Sequence, residues 1–180
     1  MVLGADAALG LGLDRRTLSM LARRGSGSAA RSLFGGFVSM AAGQREDGED
    51  AFAEPLLDAA EWPLAVVVAV TSNTRKSVGS GTGMERSRLT SPFYPAWVSG
   101  ATADLAAAHA AVRARDFAAL AEVSEHNCLK MHAVMQASQP PLLYWSGATV
   151  DCLQRIRTLP GRAGVDGFFA SDPGAPVKAV

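Results

Sequence analysis

The chain has 180 residues, 48% of them hydrophobic and 19% charged, which is enough to bury a core and too apolar for a disordered or fibrous polypeptide. Its 17 basic and 17 acidic residues cancel, so net charge favours neither nucleic acid nor an anionic membrane as a partner. Cys128 and Cys152 belong to no CxxC pair or Cys/His cluster; they read as reduced thiols, which points to the cytoplasm.

In chain order, Met1 to Leu13 is apolar, but it lacks a positive leader and Asp6 interrupts it, so no signal peptide is expected. Residues 5–23 place Ala and Leu at helical spacing, with Asp14 as candidate cap of a second helix whose apolar positions are Leu18, Leu21 and Ala22. After the small, polar stretch GSGSAAR, residues 25–31, the run Leu33 to Val38 has the aromatic and β-branched content of a strand. Glu46 to Asp50 reads as a turn. Leu64 to Val70 is predicted to be a strand buried on both faces, and it falls well short of the ~20 residues that a membrane-spanning helix needs. Ser77 to Gly83 is predicted to be a flexible loop and Ser91 to Pro95, with two prolines, a connection.

Helical patterning resumes at about Thr102. Asp116 can cap a long helix, because Phe117, Leu120, Ala121, Ser124, Cys128, Met131 and Met135 recur at three- and four-residue steps on one face, and Pro140-Pro141 closes it. Thr149 to Leu159 is a shorter helix, and Val165 to Ala170 and Val177 to Val180 look like strands around the turn Asp172-Pro173-Gly174. Helices and strands mix without a βαβ period or an internal repeat, which gives an α+β class.

Three stretches can carry chemistry. In residues 25–31, exposed amides of small residues, the hydroxyls of Ser26 and Ser28, and the planar guanidinium of Arg31 suit a carboxylate or phosphate. The same string also reads as a flexible turn with a surface arginine. Ser77 to Gly83, behind Arg75-Lys76, can cradle a phosphate but fails the GxxxxGK[ST] pattern, and a mobile loop is the alternative. Asp172 can act as a base, although Asp before Pro-Gly is ordinary turn chemistry. No metal site is expected. His126 and His132 are six apart and point to different helix faces, each expected to be partly buried with one hydrogen bond; His109 is expected to be solvated, and Met131 and Met135 to be core.

The order and wording of these motifs resemble one family, the diphosphomevalonate decarboxylases of the GHMP kinase superfamily. The resemblance is carried by ARRGSGSAARSLFGGFV (22–38), EDGED (46–50), EWP (61–63), TSPFYPAWV (90–98), EHNCLKMHAVM (125–135), PPLLYW (140–145) and DPGAPV (172–177). It implies a GHMP kinase-like α+β fold, with residues 1–60 from the N-terminal domain and 61–180 as a smaller C-terminal α+β domain. The implied activity is the ATP-dependent decarboxylation of (R)-5-diphosphomevalonate to isopentenyl diphosphate in the mevalonate pathway of isoprenoid biosynthesis. ATP is the implied co-substrate, with Mg2+.

By position, the resemblance makes Arg31 the holder of the substrate carboxylate and Asp172 the catalytic carboxylate facing the tertiary hydroxyl. Ser26, Gly27, Ser28, Ala29 and Ala30 complete the implied substrate-binding segment with Arg31. Ala30 stands where Cys is usual, Gly81 where a substrate-contacting Thr is common, and the DAGPN of the family reads Asp-Pro-Gly-Ala-Pro. The family's Lys-Tyr-Trp segment and its Gly/Ser-rich ATP loop are absent from these residues, so the chain is expected to be N-terminally truncated and inactive alone. A homodimer is implied for the full-length form. The alternatives are a non-catalytic remnant, or a related phosphomevalonate decarboxylase or mevalonate kinase.

Overall fold

The computed structural model describes residues 2–71 and 77–158, which fall into two compact units, Met1–Leu64 and Ala65–Val180. The first unit contains three helices and a hairpin: α1 (Val2–Leu9), α2 (Arg15–Gly25), α3 (Gly27–Arg31), β1 (Phe37–Met40) and β2 (Ala53–Leu57). Asp14 starts α2 as expected, its carboxylate accepting from the Thr17 amide at 2.7 Å and filling one of the donors left open at a helix start. Leu18 and Ala22, one turn apart on α2, pack with Leu33, and Val2, Leu13, Ala29 and Phe34 close around them. The fully buried Ser19 hydroxyl accepts from the Ala53 amide at 2.7 Å and ties α2 to β2.

The strand expected from Leu33 begins only at Phe37. Gly36 has φ +69°, and a side chain there would place its Cβ 2.4 Å from the Leu57 carbonyl oxygen, so the chain must turn at a glycine before it can pair. β1 and β2 are antiparallel, with Val38 opposite Pro55, Met40 opposite Ala53 and an irregularity between Phe37 and Val38. The acidic turn between them satisfies itself. Asp50 accepts from the Gln44 and Arg45 amides, and Asp47 accepts from the Glu49 amide and pairs with Arg45.

The second unit contains four described helices, α4 (Ser80–Thr90), α5 (Tyr94–Ala114), α6 (Phe117–Gln136) and α7 (Gly147–Ile156). Asp116 caps α6, accepting from the Ala119 amide at 3.0 Å, while Arg115 closes α5 at φ 55°. This two-residue connection folds α6 back along α5, where Asp104 binds both Lys130 and Asn127. Cys128, Leu153 and Ile156 form the core between α6 and α7. Ser146 and Thr149 build a capping box at the start of α7, and Thr149 also bonds Thr71 at 2.9 Å.

Three expectations are corrected here. Leu64 to Val70 has no regular structure, and Val66, Val67, Val68 and Val70 are 60–75% exposed; the one sheet among the described residues is β1–β2, and none of those residues pairs with this run. The predicted loop ends early, because α4 starts at Ser80 and takes in Gly81 and Gly83. Gly83 is required by contact: a Cβ there would lie 2.6 Å from the Tyr144 hydroxyl, which donates to the Val78 carbonyl at 3.2 Å. Finally, α5 starts eight residues before Thr102, since Pro95 sits in its first turn, where no intrahelical donor is lost. The strands and turn expected at 165–170, 172–174 and 177–180 lie outside the described residues.

The histidines also differ from expectation. His132 is buried and lies against Trp145 with ring centroids 4.2 Å apart, whereas His126 is exposed. His109 is half-buried, and its Nε2 is enclosed without a hydrogen-bond partner among the described residues. Met135 is in the core, as expected.

Candidate substrate-binding site around Arg31

The segment from Ser26 to Arg31 is shaped by the end of α2. Ser26 leaves the helix in extended conformation (φ −167°, ψ 135°), and Gly27 to Arg31 then form the single short turn of α3. Ser26 does not spend its hydroxyl as a cap. Instead its Oγ lies 2.9 Å from Ser28 Oγ, and Ser26, Gly27 and Ser28 are all exposed. Five residues are too few for a helix-end field of any size, so anion recognition here rests on hydroxyls and a guanidinium.

Arg31 is exposed at the last position of α3 and shares an open cavity of about 300 Å³ with Ser28, Ser32, Phe34, Gly36 and Val38. Ser32 Oγ donates to the Ser28 carbonyl at 2.9 Å, and the Phe34 amide donates to the Arg31 carbonyl at 3.1 Å, so the turn after Arg31 is pinned from both directions. Ala30, at the position where the resemblance has Cys, is fully buried. Arg15 from α2 donates to the Leu33 carbonyl and places its guanidinium 6.0 Å from the Phe34 ring centroid.

Of the residues singled out in the sequence, Ser28 and Arg31 thus line one cavity, with Ser26 bonded to Ser28, Ala29 packed on the α2 core and Ala30 buried. Asp172 lies outside the described residues. Gly81 is in the second unit, exposed in the first turn of α4. Sequence reasoning missed Ser32, Phe34, Gly36 and Val38 as cavity walls, although they follow Arg31 directly and the reversal at Gly36 brings them round it. It also missed Arg15, sixteen positions upstream, for which the sequence carries no signal.

A guanidinium beside serine hydroxyls at an open cavity, on an α+β frame, has the donor chemistry that suits a small anion. Comparison with known proteins makes this specific. Residues 1–53 match the diphosphomevalonate decarboxylase-like N-terminal domain, and residues 66–164 match the mevalonate 5-diphosphate decarboxylase C-terminal domain. The chain therefore belongs to the diphosphomevalonate decarboxylase family, with its GHMP kinase-like α+β fold.

It is 36% identical over 165 residues to the diphosphomevalonate decarboxylase of Aspergillus fumigatus, covering 89% of this chain and 41% of that protein. It is 34% identical over 171 residues to that of Danio rerio, covering 91% and 42%. Among solved structures, mevalonate diphosphate decarboxylase from Staphylococcus aureus superposes with a TM-score of 0.87 at 38% identity, covering 97% of this chain and 52% of that one. A structure described as MDDEF in complex with MVAPP, AMPPCP and magnesium gives the same TM-score and identity, over 97% and 53%. The chain spans about two fifths of the length of the curated relatives it matches.

Proposed function

We propose that this chain acts in the ATP-dependent decarboxylation of (R)-5-diphosphomevalonate to isopentenyl diphosphate, a cytoplasmic step of isoprenoid biosynthesis, with residues 1–60 and 61–180 as parts of two domains of a homodimeric enzyme. The observation that carries the reading is Arg31, exposed at a cavity it shares with the Ser28 and Ser32 hydroxyls. A guanidinium grips a carboxylate through two parallel hydrogen bonds and so fixes the plane in which it departs. ATP phosphorylates the tertiary hydroxyl. Loss of that phosphate then takes the C–O bonding pair, while the bond to the carboxylate breaks and its electrons form the new double bond. Arg31 holds the departing carboxylate, Ser26 to Ala30 line the substrate, and Asp172 accepts or steers the hydroxyl proton.

Support for the co-substrate comes from the relative described with AMPPCP and magnesium. Among the described residues no group of three or more His, Cys, Asp or Glu side chains converges, so this part of the chain offers no protein cage for Mg2+. The ion is proposed to be carried by the nucleotide phosphates.

Binding of (R)-5-diphosphomevalonate to the chain, measured by titration calorimetry, tests the reading. Saturable binding is expected, weakened roughly tenfold or more by Arg31→Lys, since an ammonium cannot reproduce a planar two-point grip. Equal binding by the Arg31→Lys variant would contradict the assigned role.

A further inference from the structure

We propose that Arg15 is a positioning residue for the Arg31 site, acting through Leu33 and Phe34 without touching the ligand; this rests on the reading of Arg31 as the carboxylate holder. Three observations converge. Arg15 stands on the first turn of α2 and donates through Nη1 to the Leu33 carbonyl, the second residue after the last of α3. Its guanidinium lies 6.0 Å from the centroid of the Phe34 ring, within the range where a cation is drawn to an aromatic face. Phe34 in turn donates its amide to the Arg31 carbonyl at 3.1 Å and forms a wall of the cavity that Arg31 and Ser28 share.

Arg15 therefore fixes the carbonyl before Phe34 and the ring of Phe34 itself, and Phe34 fixes both the backbone of Arg31 and the space beside it. A guanidinium that must meet a carboxylate in one plane is sensitive to such support, because a small misplacement of a clamp costs much of its advantage. Arg15 is itself exposed. Its replacement leaves the core of Leu18, Ala22 and Leu33 intact, so a change in binding can be read separately from a change in folding.

The neighbouring arginines do different work. Arg16 stacks 3.9 Å from the Phe52 ring centroid and bonds the Glu49 carbonyl, and Arg23 reaches the Ala42 carbonyl, both toward the acidic turn between the strands. Of these three, Arg15 alone is directed to the turn that carries the cavity wall. Arg16→Gln is thus the matched control for Arg15→Gln.

The experiment titrates (R)-5-diphosphomevalonate into the wild-type 180-residue chain and into Arg15→Gln, Arg15→Lys and Arg16→Gln, with thermal midpoints and the Phe34 ring proton resonances recorded for each without ligand. Arg15→Gln is expected to weaken binding roughly tenfold, through misplacement of the Arg31 clamp, to shift the Phe34 ring signals, and to lower the midpoint by no more than about 2–8 °C, the scale of one lost hydrogen bond. Arg15→Lys keeps a cation that reaches the Leu33 carbonyl but gives up the planar face, so it is expected to recover part of the loss. Arg16→Gln is expected to bind as wild type does.

Wild-type binding matched by Arg15→Gln would overturn the inference and leave the Arg31 reading standing. Equal weakening in Arg15→Gln and Arg16→Gln would also overturn it, as a general charge effect. Absence of saturable binding in the wild type would overturn both, and it is seen without any variant.

Discussion

At the scale of single residues, close approach decides what the sequence may hold. Gly83 is buried in α4 with the Tyr144 hydroxyl where a side chain would begin, 2.6 Å from an added Cβ. Gly83→Ala should therefore destabilise the chain by about 1–3 kcal/mol through overpacking, even though alanine favours a helix by ~1 kcal/mol. Tyr144→Phe removes the clashing oxygen along with its bond to Val78, so the double variant should be more stable than the sum of the two losses predicts. Urea midpoints of the four proteins check this double-mutant cycle; additive losses would show that the hydroxyl is not what excludes a side chain. A similar economy holds around Arg31, where a buried Ala30 and exposed serines leave the guanidinium at an open cavity.

At the scale of elements, the caps were legible and the pairings were not. Asp14 and Asp116 announce α2 and α6 because a short carboxylate before an apolar-periodic stretch has one common use, and both accept the expected amide. Leu64 to Val70 misled, since β-branched composition states a preference for a strand but cannot supply its neighbour, and among the described residues the run is exposed without one. α4 was hidden for the opposite reason. Gly79, Gly81 and Gly83 read as a loop, yet Gly83 is there to admit Tyr144 from a distant segment. The Ser26–Arg31 segment was visible as chemistry from its residue types, whereas the cavity around it depends on the reversal at Gly36 and on Phe34, which only the folded chain brings together.

Helix pairing gives a pH-dependent prediction at this scale. Lys130, by its hydrogen bond, holds the Asp104 carboxyl below its ordinary pKa; burial opposes this, and the Asn127 hydrogen bond adds to the depression. A depressed carboxylate contributes stability above its unfolded pKa of about 4, and that contribution disappears as pH falls through the lower folded value. Asp104→Asn should therefore cost roughly 1–2 kcal/mol at pH 7. The gap to wild type should narrow as pH falls below about 4. Denaturation midpoints between neutral and strongly acid pH measure this; a constant gap would mean that the α5–α6 contact does not depend on the carboxylate charge.

At the scale of the molecule, family membership and function separate. Residues 1–53 and 66–164 carry the two domain signatures of diphosphomevalonate decarboxylases, while the chain corresponds to about two fifths of the length of those relatives. Phosphoryl transfer depends on cradling the nucleotide phosphates and neutralising their charge, and the Gly/Ser-rich loop that the family resemblance assigns to this task is absent from the 180 residues. The proposed role of Arg31 is to hold the carboxylate, but turnover requires that second half of the chemistry. The most direct measurement is carbon dioxide and ADP release from (R)-5-diphosphomevalonate and MgATP, by the 180-residue chain and by the same chain joined to the upstream portion of the Staphylococcus aureus relative. Turnover by the joined protein, abolished or strongly reduced by Arg31→Lys, with none from the chain alone, is the predicted result. A folded joined protein that binds both ligands and releases neither product would contradict the account.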